Sequence, residues 1–190
     1  MSERGYSLAE ILVAIGILMV LAAVAAPMLR AYSVEAQLLG AGREFEMRFL
    51  RARSIAVRSG VETAIRFERR PDGVFYSLYS DGNWNGVLSA DIASGKDPRA
   101  EGPIPLTSGA PDVRVAINPG TPAIPPDRGD LSGDPIRFGR SDILTFSPLG
   151  TATPGTFYLA GVGTQAAVRV NPGSARVHLM TCRGRRWRER

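Results

Sequence analysis

The chain has 190 residues, of which 44% are hydrophobic and 22% are charged, a composition typical of one folded domain with an appendage. Wholesale disorder is therefore excluded. Basic residues outnumber acidic ones by 23 to 18, but five arginines lie in residues 183–190, so a uniformly basic nucleic-acid domain is disfavoured. With a single cysteine and a single histidine, the chain lacks the residues for an intramolecular disulfide, a four-cysteine metal site, a histidine cage or most catalytic triads.

An uncharged apolar run covers residues 11–29. As a helix it would be about 28 Å long, which is enough to cross the hydrocarbon core of a membrane. A secretory signal peptide cleaved near Ala25 is the alternative. The run is longer than the usual signal core and a helical pattern continues beyond it, so a retained membrane helix is favoured.

Residues 4–10, Arg-Gly-Tyr-Ser-Leu-Ala-Glu, stand directly before this run. An unpaired carboxylate at the edge of the lipid, such as that of Glu10, would cost about 2.5–3.5 kcal/mol to insert, so the side chain needs a partner. The segment resembles the class III leader of type IV pilins and pseudopilins. The resemblance implies that a prepilin peptidase removes residues 1–5 by cutting after Gly5 and methylates the new amino terminus at Tyr6. It also implies that Glu10 pairs with the terminal amine of a neighbouring subunit during assembly.

The helical pattern continues beyond the apolar run. One apolar stripe is predicted, with charged residues on the other faces; the stripe comprises Leu38, Phe45, Phe49, Ala52 and Ala56. Pro27 removes a backbone donor and is expected to kink or loosen the helix. The sequence thus predicts a transmembrane and assembly helix over residues 6–29 and an amphipathic continuation over residues 30–60.

Short apolar segments separated by turn residues predict an antiparallel β domain over residues 61–182. The predicted strands cover residues 61–67, 74–79, 113–117, 142–146, 156–160, 166–170 and 175–180. Residues 118–135 contain five prolines and are predicted to form a loop without secondary structure. The expected fold class is α+β, with a long, pilin-like, membrane-spanning amino-terminal helix packed on the antiparallel β domain.

Three segments extend the resemblance to the GspH/FimT branch of minor pilins: residues 50–61, residues 143–152 and the strand around residues 176–179. In that branch, an Ala-Arg-Ser run leads from the helix into the sheet and an Ile-Thr-Phe-Ser-Pro pattern marks a later strand. The resemblance covers most of the chain except the proline-rich loop.

The segment Asp81-Gly-Asn83-Trp-Asn85-Gly matches the first half of a calcium-binding loop, because oxygen ligands at alternate positions can converge on a hard cation. Asp91 falls one residue short of the twelfth position, where a bidentate glutamate is expected. A tight turn explains the same residues, since Asp-Gly and Asn-Gly are common turn formers. The turn is favoured; the alternative is a bound calcium ion held by Asp81, Asn83, Asn85 and Asp91. No other cofactor is expected.

Residues 183–190 are predicted to form a basic tail. The tail is similar to the Gly-Arg-x-Arg signature of some GspH/FimT members, displaced by one residue, and this similarity implies a DNA-binding candidate set of Arg183, Arg185, Arg186, Trp187 and Arg188. A solvated end, or contact with acidic partners or lipid headgroups, is the alternative.

No phosphate-binding loop, zinc motif or nucleophile elbow is present in the sequence, so no enzymatic activity is predicted. His178 lies between apolar neighbours and is expected to be structural, and Cys182 is expected to be a lone thiol.

Two functions follow from the resemblance. The first is a minor pseudopilin or prepilin of the inner membrane, with a single span and a periplasmic carboxy-terminal domain. It would be processed by prepilin peptidase and would assemble with other pilins or pseudopilins into a type II secretion pseudopilus or a type IV pilus. The alternative is a FimT-like minor pilin that captures DNA with its basic tail for natural transformation. The expected partners are other pilins, the peptidase, membrane lipid and, for the alternative function, DNA.

Overall fold

The computed structural model describes residues 7–106 and 109–190. Its longest element is the helix α1, Leu8–Ser59, whose 52 residues extend about 78 Å at 1.5 Å per residue. Gly60 ends the helix in the left-handed conformation (φ 69°), which glycine adopts without steric cost, and its N–H donates to the carbonyl of Ala56. Pro27 lies inside α1, and the helix is continuous through it.

The two halves of α1 have different surroundings. Residues 8–30 are exposed along their whole length. From Val34 onward one side of the helix is buried, and the five predicted stripe residues are between 0% and 2% exposed. The predicted amphipathic continuation is therefore confirmed.

Within the described residues, the β domain contains two antiparallel sheets. The first has four strands in the order β3-β2-β1-β5; they are β1 (Thr63–Arg70), β2 (Gly73–Ser80), β3 (Arg99–Pro105) and β5 (Ile143–Phe146). The second has five strands in the order β4-β6-β7-β8-β9; they are β4 (Ile136–Arg137), β6 (Gly155–Ala160), β7 (Thr164–Val170), β8 (Val177–Arg183) and β9 (Arg186–Glu189). A short helix α2, Ser89–Ser94, precedes β3. The expected α+β class, with a long amino-terminal helix packed on antiparallel sheets, is confirmed.

Aromatic rings join the helix to both sheets. Phe49 on α1 lies 6.3 Å from Phe67 on β1 and 5.9 Å from Phe138, measured between ring centroids. Phe45 lies 4.8 Å from Phe157 on β6. Such aromatic pairs add to the hydrophobic energy of burial, and the cluster forms the centre of the main core.

The proline-rich loop forms a third layer. Residues 118–135 contain no helix or strand, as predicted. Ile124 and Leu131 of the loop are buried with Tyr158 and Ala167, which lie on β6 and β7. The loop therefore covers the face of the second sheet opposite α1.

The predicted strand over residues 113–117 is wrong. Only Arg114 forms a bridge, with Ala160. Beyond it, the buried side chain of Gln165 replaces a strand neighbour, since its Nε2 donates to the carbonyl of Ala116 and its Oε1 accepts from the N–H of Asn118. A side-chain amide can satisfy backbone groups in this way without forming a ladder.

Three strands, β3, β4 and β9, were not predicted, and the boundary of the tail also differs from its prediction. β3 contains two prolines and a glycine and lies at a sheet edge, where proline is tolerated because its missing N–H breaks no ladder. Residues 183–190 do not form a separate tail, because β9 pairs with β8 and extends the second sheet. The domain therefore continues past residue 182.

We expect Phe49→Ala to lower the free energy of unfolding by about 3–5 kcal/mol, because it removes a fully buried ring from the centre of the core. Val57→Ala on the same helix removes a side chain that is 52% exposed, and should change the free energy by no more than about 0.5 kcal/mol. Urea unfolding of a soluble fragment starting at Arg30, followed by circular dichroism, measures both. Similar losses in the two variants would contradict the central position of the cluster.

Candidate functional site

The first candidate site lies at the amino terminus of α1. Ser7 is the N-cap and its Oγ accepts from the N–H of Ala9, while Glu10 Oε2 accepts from the N–H of Ser7 at 2.9 Å. The two side chains form a reciprocal capping box that satisfies otherwise unpaired backbone donors. The predicted processing residues Gly5 and Tyr6 lie outside the described residues.

The segment that follows this cap has the properties of a membrane span. Within the described residues, α1 is the one helix long and apolar enough to cross a membrane, with a mean hydropathy of 2.7 over its most apolar 18 residues. None of that window is buried against the β domain. Large apolar side chains that a water-soluble domain would bury are therefore available to contact lipid or other helices.

The second candidate site is the loop between β2 and β3, where the structure brings Asp81, Asn83, Asn85 and Asp91 together. Asp81 Oδ1 accepts from the backbone N–H groups of Asn83 and Trp84, and Oδ2 accepts from that of Gly86. Asp81 is 8% exposed, so these bonds compensate for its desolvation.

Asp91 on α2 closes the same loop. Its Oδ2 accepts from the side-chain amides of Asn83 and Asn85 at 3.2 and 2.9 Å. The amides of Asn85 and Asn83 hold the pKa of the Asp91 carboxyl below its usual value, with a smaller contribution from Lys96. The carboxylate is therefore charged at neutral pH and organises the loop.

A third carboxylate, Asp97, has the same role but was not predicted from the sequence. It is 1% exposed and accepts from the N–H groups of Gly82 and Leu88. Its position 16 residues after Asp81 has no recognisable spacing, so only the fold shows that it belongs to the loop. Among the described residues, no group of three or more histidine, cysteine, aspartate or glutamate side chains is placed to hold a metal ion.

The third candidate site is the β8–β9 hairpin. Arg183 lies 3.3 Å from Glu35 on α1 and Arg190 lies 3.6 Å from the same carboxylate. Arg185 points elsewhere, since it binds Asp130 of the proline-rich loop at 2.7 Å. The predicted cationic set is therefore divided between two faces of the sheet.

Trp187 lies on the face of β9 that carries the proline-rich loop. Its indole N–H donates to the carbonyl of Pro122 at 2.8 Å, and its ring lies 6.4 Å from that of Tyr158. The ring therefore packs against the domain and is only partly accessible for stacking on a base. DNA binding by these residues stays a prediction.

The single histidine and the single cysteine both lie on β8. His178 Nδ1 is 2.5 Å from Glu189 Oε1, and Nε2 is 3.1 Å from Asn171 Nδ2, so the ring links β9 to the β7–β8 turn. Cys182 is 3% exposed, and burial raises the pKa of its thiol. A raised pKa leaves little thiolate at neutral pH, so Cys182 is poorly suited to act as a nucleophile.

An exposed apolar helix whose first turn contains a capping glutamate, and which leads into an antiparallel β domain, defines a pilin-like protein. A family model described as type II transport protein GspH matches residues 41–174, more than two thirds of the chain, and one described as prokaryotic N-terminal methylation motif matches residues 1–26. The chain therefore belongs to the GspH family, and the predicted resemblance to minor pseudopilins is confirmed. Comparisons with curated proteins and with solved structures give no match.

Calcium binding to the β2–β3 loop also stays a prediction, and the turn is favoured because both Asp81 oxygens and Asp91 Oδ2 already accept hydrogen bonds. We expect millimolar Ca²⁺ to leave the thermal midpoint of the fragment starting at Arg30 within about 1 °C of its value in chelator. Asp91→Asn should lower the midpoint equally with and without Ca²⁺, because it weakens the same hydrogen bonds in both conditions. A Ca²⁺-dependent rise of several degrees that Asp91→Asn abolishes would establish the metal site instead.

Proposed function

We propose that this chain is a minor pseudopilin that is anchored in the inner membrane by residues 6–29, with its β domain in the periplasm. Prepilin peptidase removes residues 1–5, and the mature chain assembles with other pseudopilins through its apolar helix. The observation that carries the proposal is the exposure of the apolar half of α1, which follows Glu10 and whose most apolar 18 residues are not buried against the described β domain. The family description favours the type II secretion pseudopilus over the type IV pilus.

The capping box supports a two-stage role for Glu10. In the single chain, its carboxylate accepts the N–H of Ser7, so the charge has a local partner at the membrane edge. The terminal amine of a neighbouring subunit would be a stronger partner, because a full positive charge attracts a carboxylate more than an amide N–H does in a low-dielectric medium. Breaking such a pair leaves a buried charge and costs about 3–5 kcal/mol, so the pair would fix the register of adjacent helices.

The β domain would follow the helix rigidly during assembly. The buried side of α1 extends from Val34 to Ala56 and contacts both sheets. The opposite side carries exposed Arg43 and Arg58, which remain available to neighbouring subunits, whereas Arg51 is paired with Glu101 on β3 at 3.0 Å. These features support a structural role for the chain rather than an enzymatic one.

The proposal predicts a mature chain that starts at Tyr6, carries one N-methyl group and appears only in cells that contain prepilin peptidase. Gly5→Val should block processing, because a branched side chain replaces hydrogen beside the scissile bond. Gly16→Ala should be processed normally, since an added Cβ at Gly16 meets no atom within 4 Å. Intact-mass analysis and amino-terminal sequencing of membrane protein distinguish these outcomes. A start at Ala26, or an unprocessed Met1 beside active peptidase, would disprove the assignment.

A second prediction distinguishes the capping role of the Glu10 side chain from the role of its charge in assembly. Glu10→Gln keeps an acceptor for the N–H of Ser7 but removes the charge, whereas Glu10→Ala removes both. Both variants should insert in the membrane normally, and both should lose crosslinks to partner pseudopilins to near background, since an unpaired amine is left in the interface. Glu46→Ala, on the part of α1 that packs on the β domain, should retain them.

Site-specific crosslinking between membrane-embedded helices provides this measurement. Wild-type crosslinking by Glu10→Gln with loss by Glu10→Ala would show that the cap, and not the ion pair, is required. Unchanged crosslinks in both variants would rule out any role of Glu10 in assembly.

A further inference from the structure

Four arginines line a cavity of about 240 Å³ where the β8–β9 hairpin meets α1. We call this cavity the arginine pocket; its lining residues are Glu35, Thr164, Thr181, Arg183, Arg186, Arg188 and Arg190. Four guanidinium groups against one carboxylate give the lining a net charge of +3. The pocket is therefore suited to an anion.

The strand register explains why these arginines share one face. Arg183 is paired with Arg186, and Thr181 with Arg188, so the four side chains project from the same side of the sheet. Further along, the same face carries Leu179, which packs on Gly42 of α1. The arginines are thus held beside the helix by the same sheet face that forms the core.

Two of the four arginines are not neutralised. Glu35 is shared by Arg183 and Arg190. Among residues 7–106 and 109–190, Arg186 and Arg188 form no ion pair with a carboxylate. Their donors are available to a ligand with acceptor oxygens, and the hydroxyl of Thr181 lies in the same cavity.

The pocket is close to the end of the membrane-spanning segment. Glu35 lies six residues after Leu29, about 9 Å further along the helix axis. Arg30 and Tyr32, both exposed, occupy the intervening turn, where basic and aromatic side chains favour the headgroup layer. The exposed Val162, at the tip of the β6–β7 turn, faces the same part of α1 as Arg30.

We propose that the arginine pocket binds the headgroup phosphate of an anionic phospholipid in the leaflet next to the β domain. This inference rests on the membrane anchoring in the proposed function. A guanidinium group can bind two phosphate oxygens at once, and an anionic surface attracts each nearby arginine. DNA fits the position less well, because the pocket lies beside α1 only about 9 Å beyond Leu29 and the aromatic ring of Trp187 lies on the opposite face of the sheet.

Lipid binding would orient the subunit before assembly. The headgroup contact would hold the second sheet against the membrane surface and so fix the tilt of the whole subunit relative to the bilayer. Extraction of the subunit into a filament would then require release of this lipid.

The test titrates the purified full-length chain, in neutral detergent micelles, with phosphatidylglycerol or phosphatidylcholine and counts bound lipids by native mass spectrometry. Wild type should prefer phosphatidylglycerol, and the Arg186→Gln/Arg188→Gln variant should lose roughly 25-fold in affinity for it. The matched control, Arg128→Gln/Arg140→Gln, removes two exposed arginines outside the pocket and should keep the preference. Thermal unfolding shows whether both variants are folded.

Three results would overturn the lipid pocket. They are equal affinity of the wild type for the two lipids, equal loss of affinity in the two double variants, and displacement of phosphatidylglycerol by a short DNA duplex that binds more tightly. Because the first and third results use the wild type, they do not depend on the folding of a variant. Carbonate extraction tests the anchoring separately. Release from membranes would contradict the proposed function, whereas retention without a lipid preference would contradict only the pocket.

Discussion

The contact of Phe45 and Phe49 with rings from both sheets fixes the position of the β domain on α1. These two residues lie one helical turn apart, so their rings fall on one side of the helix, and charged residues such as Arg43 and Glu44 are exposed on the other sides. The same helix carries apolar residues on every side before Pro27, where no β strand covers it. One continuous helix therefore joins an apolar segment that lipid or other helices would stabilise to a segment that the protein core stabilises.

Elements that depend on local pattern were predictable. The apolar run and the stripe from Leu38 to Ala56 follow from hydrophobic pattern, and six of the strands follow from short apolar segments bounded by turn residues. The elements that were missed depend on distant partners. β3 has a poor strand composition and exists because β2 offers it an edge, and β9 is a strand because β8 turns back at Gly184, whose φ of 65° suits glycine.

The candidate sites also divide into those that the local sequence indicates and those that only the fold brings together. Glu10 was found from its position beside the apolar run, and Asp81, Asn83, Asn85 and Asp91 from their spacing. By contrast, Glu35 joins the arginine pocket across 148 residues of sequence, through its contact with Arg183. Only the packing of β8 on α1 brings these two charges together, so no spacing rule could have indicated the pocket.

The side chain of Gln165 makes the fold sensitive to deamidation at this position. Its Nε2 donates to the carbonyls of Ala116 and Leu159 while its Oε1 accepts from Asn118, so both ends of the amide are in use. Hydrolysis of this amide to a carboxylate would set a negatively charged oxygen against two carbonyl oxygens and leave them without a donor. Deamidation of this one buried glutamine would thus weaken the hydrogen bonds that hold the start of the proline-rich loop, even though every side chain of the main aromatic core stayed in place.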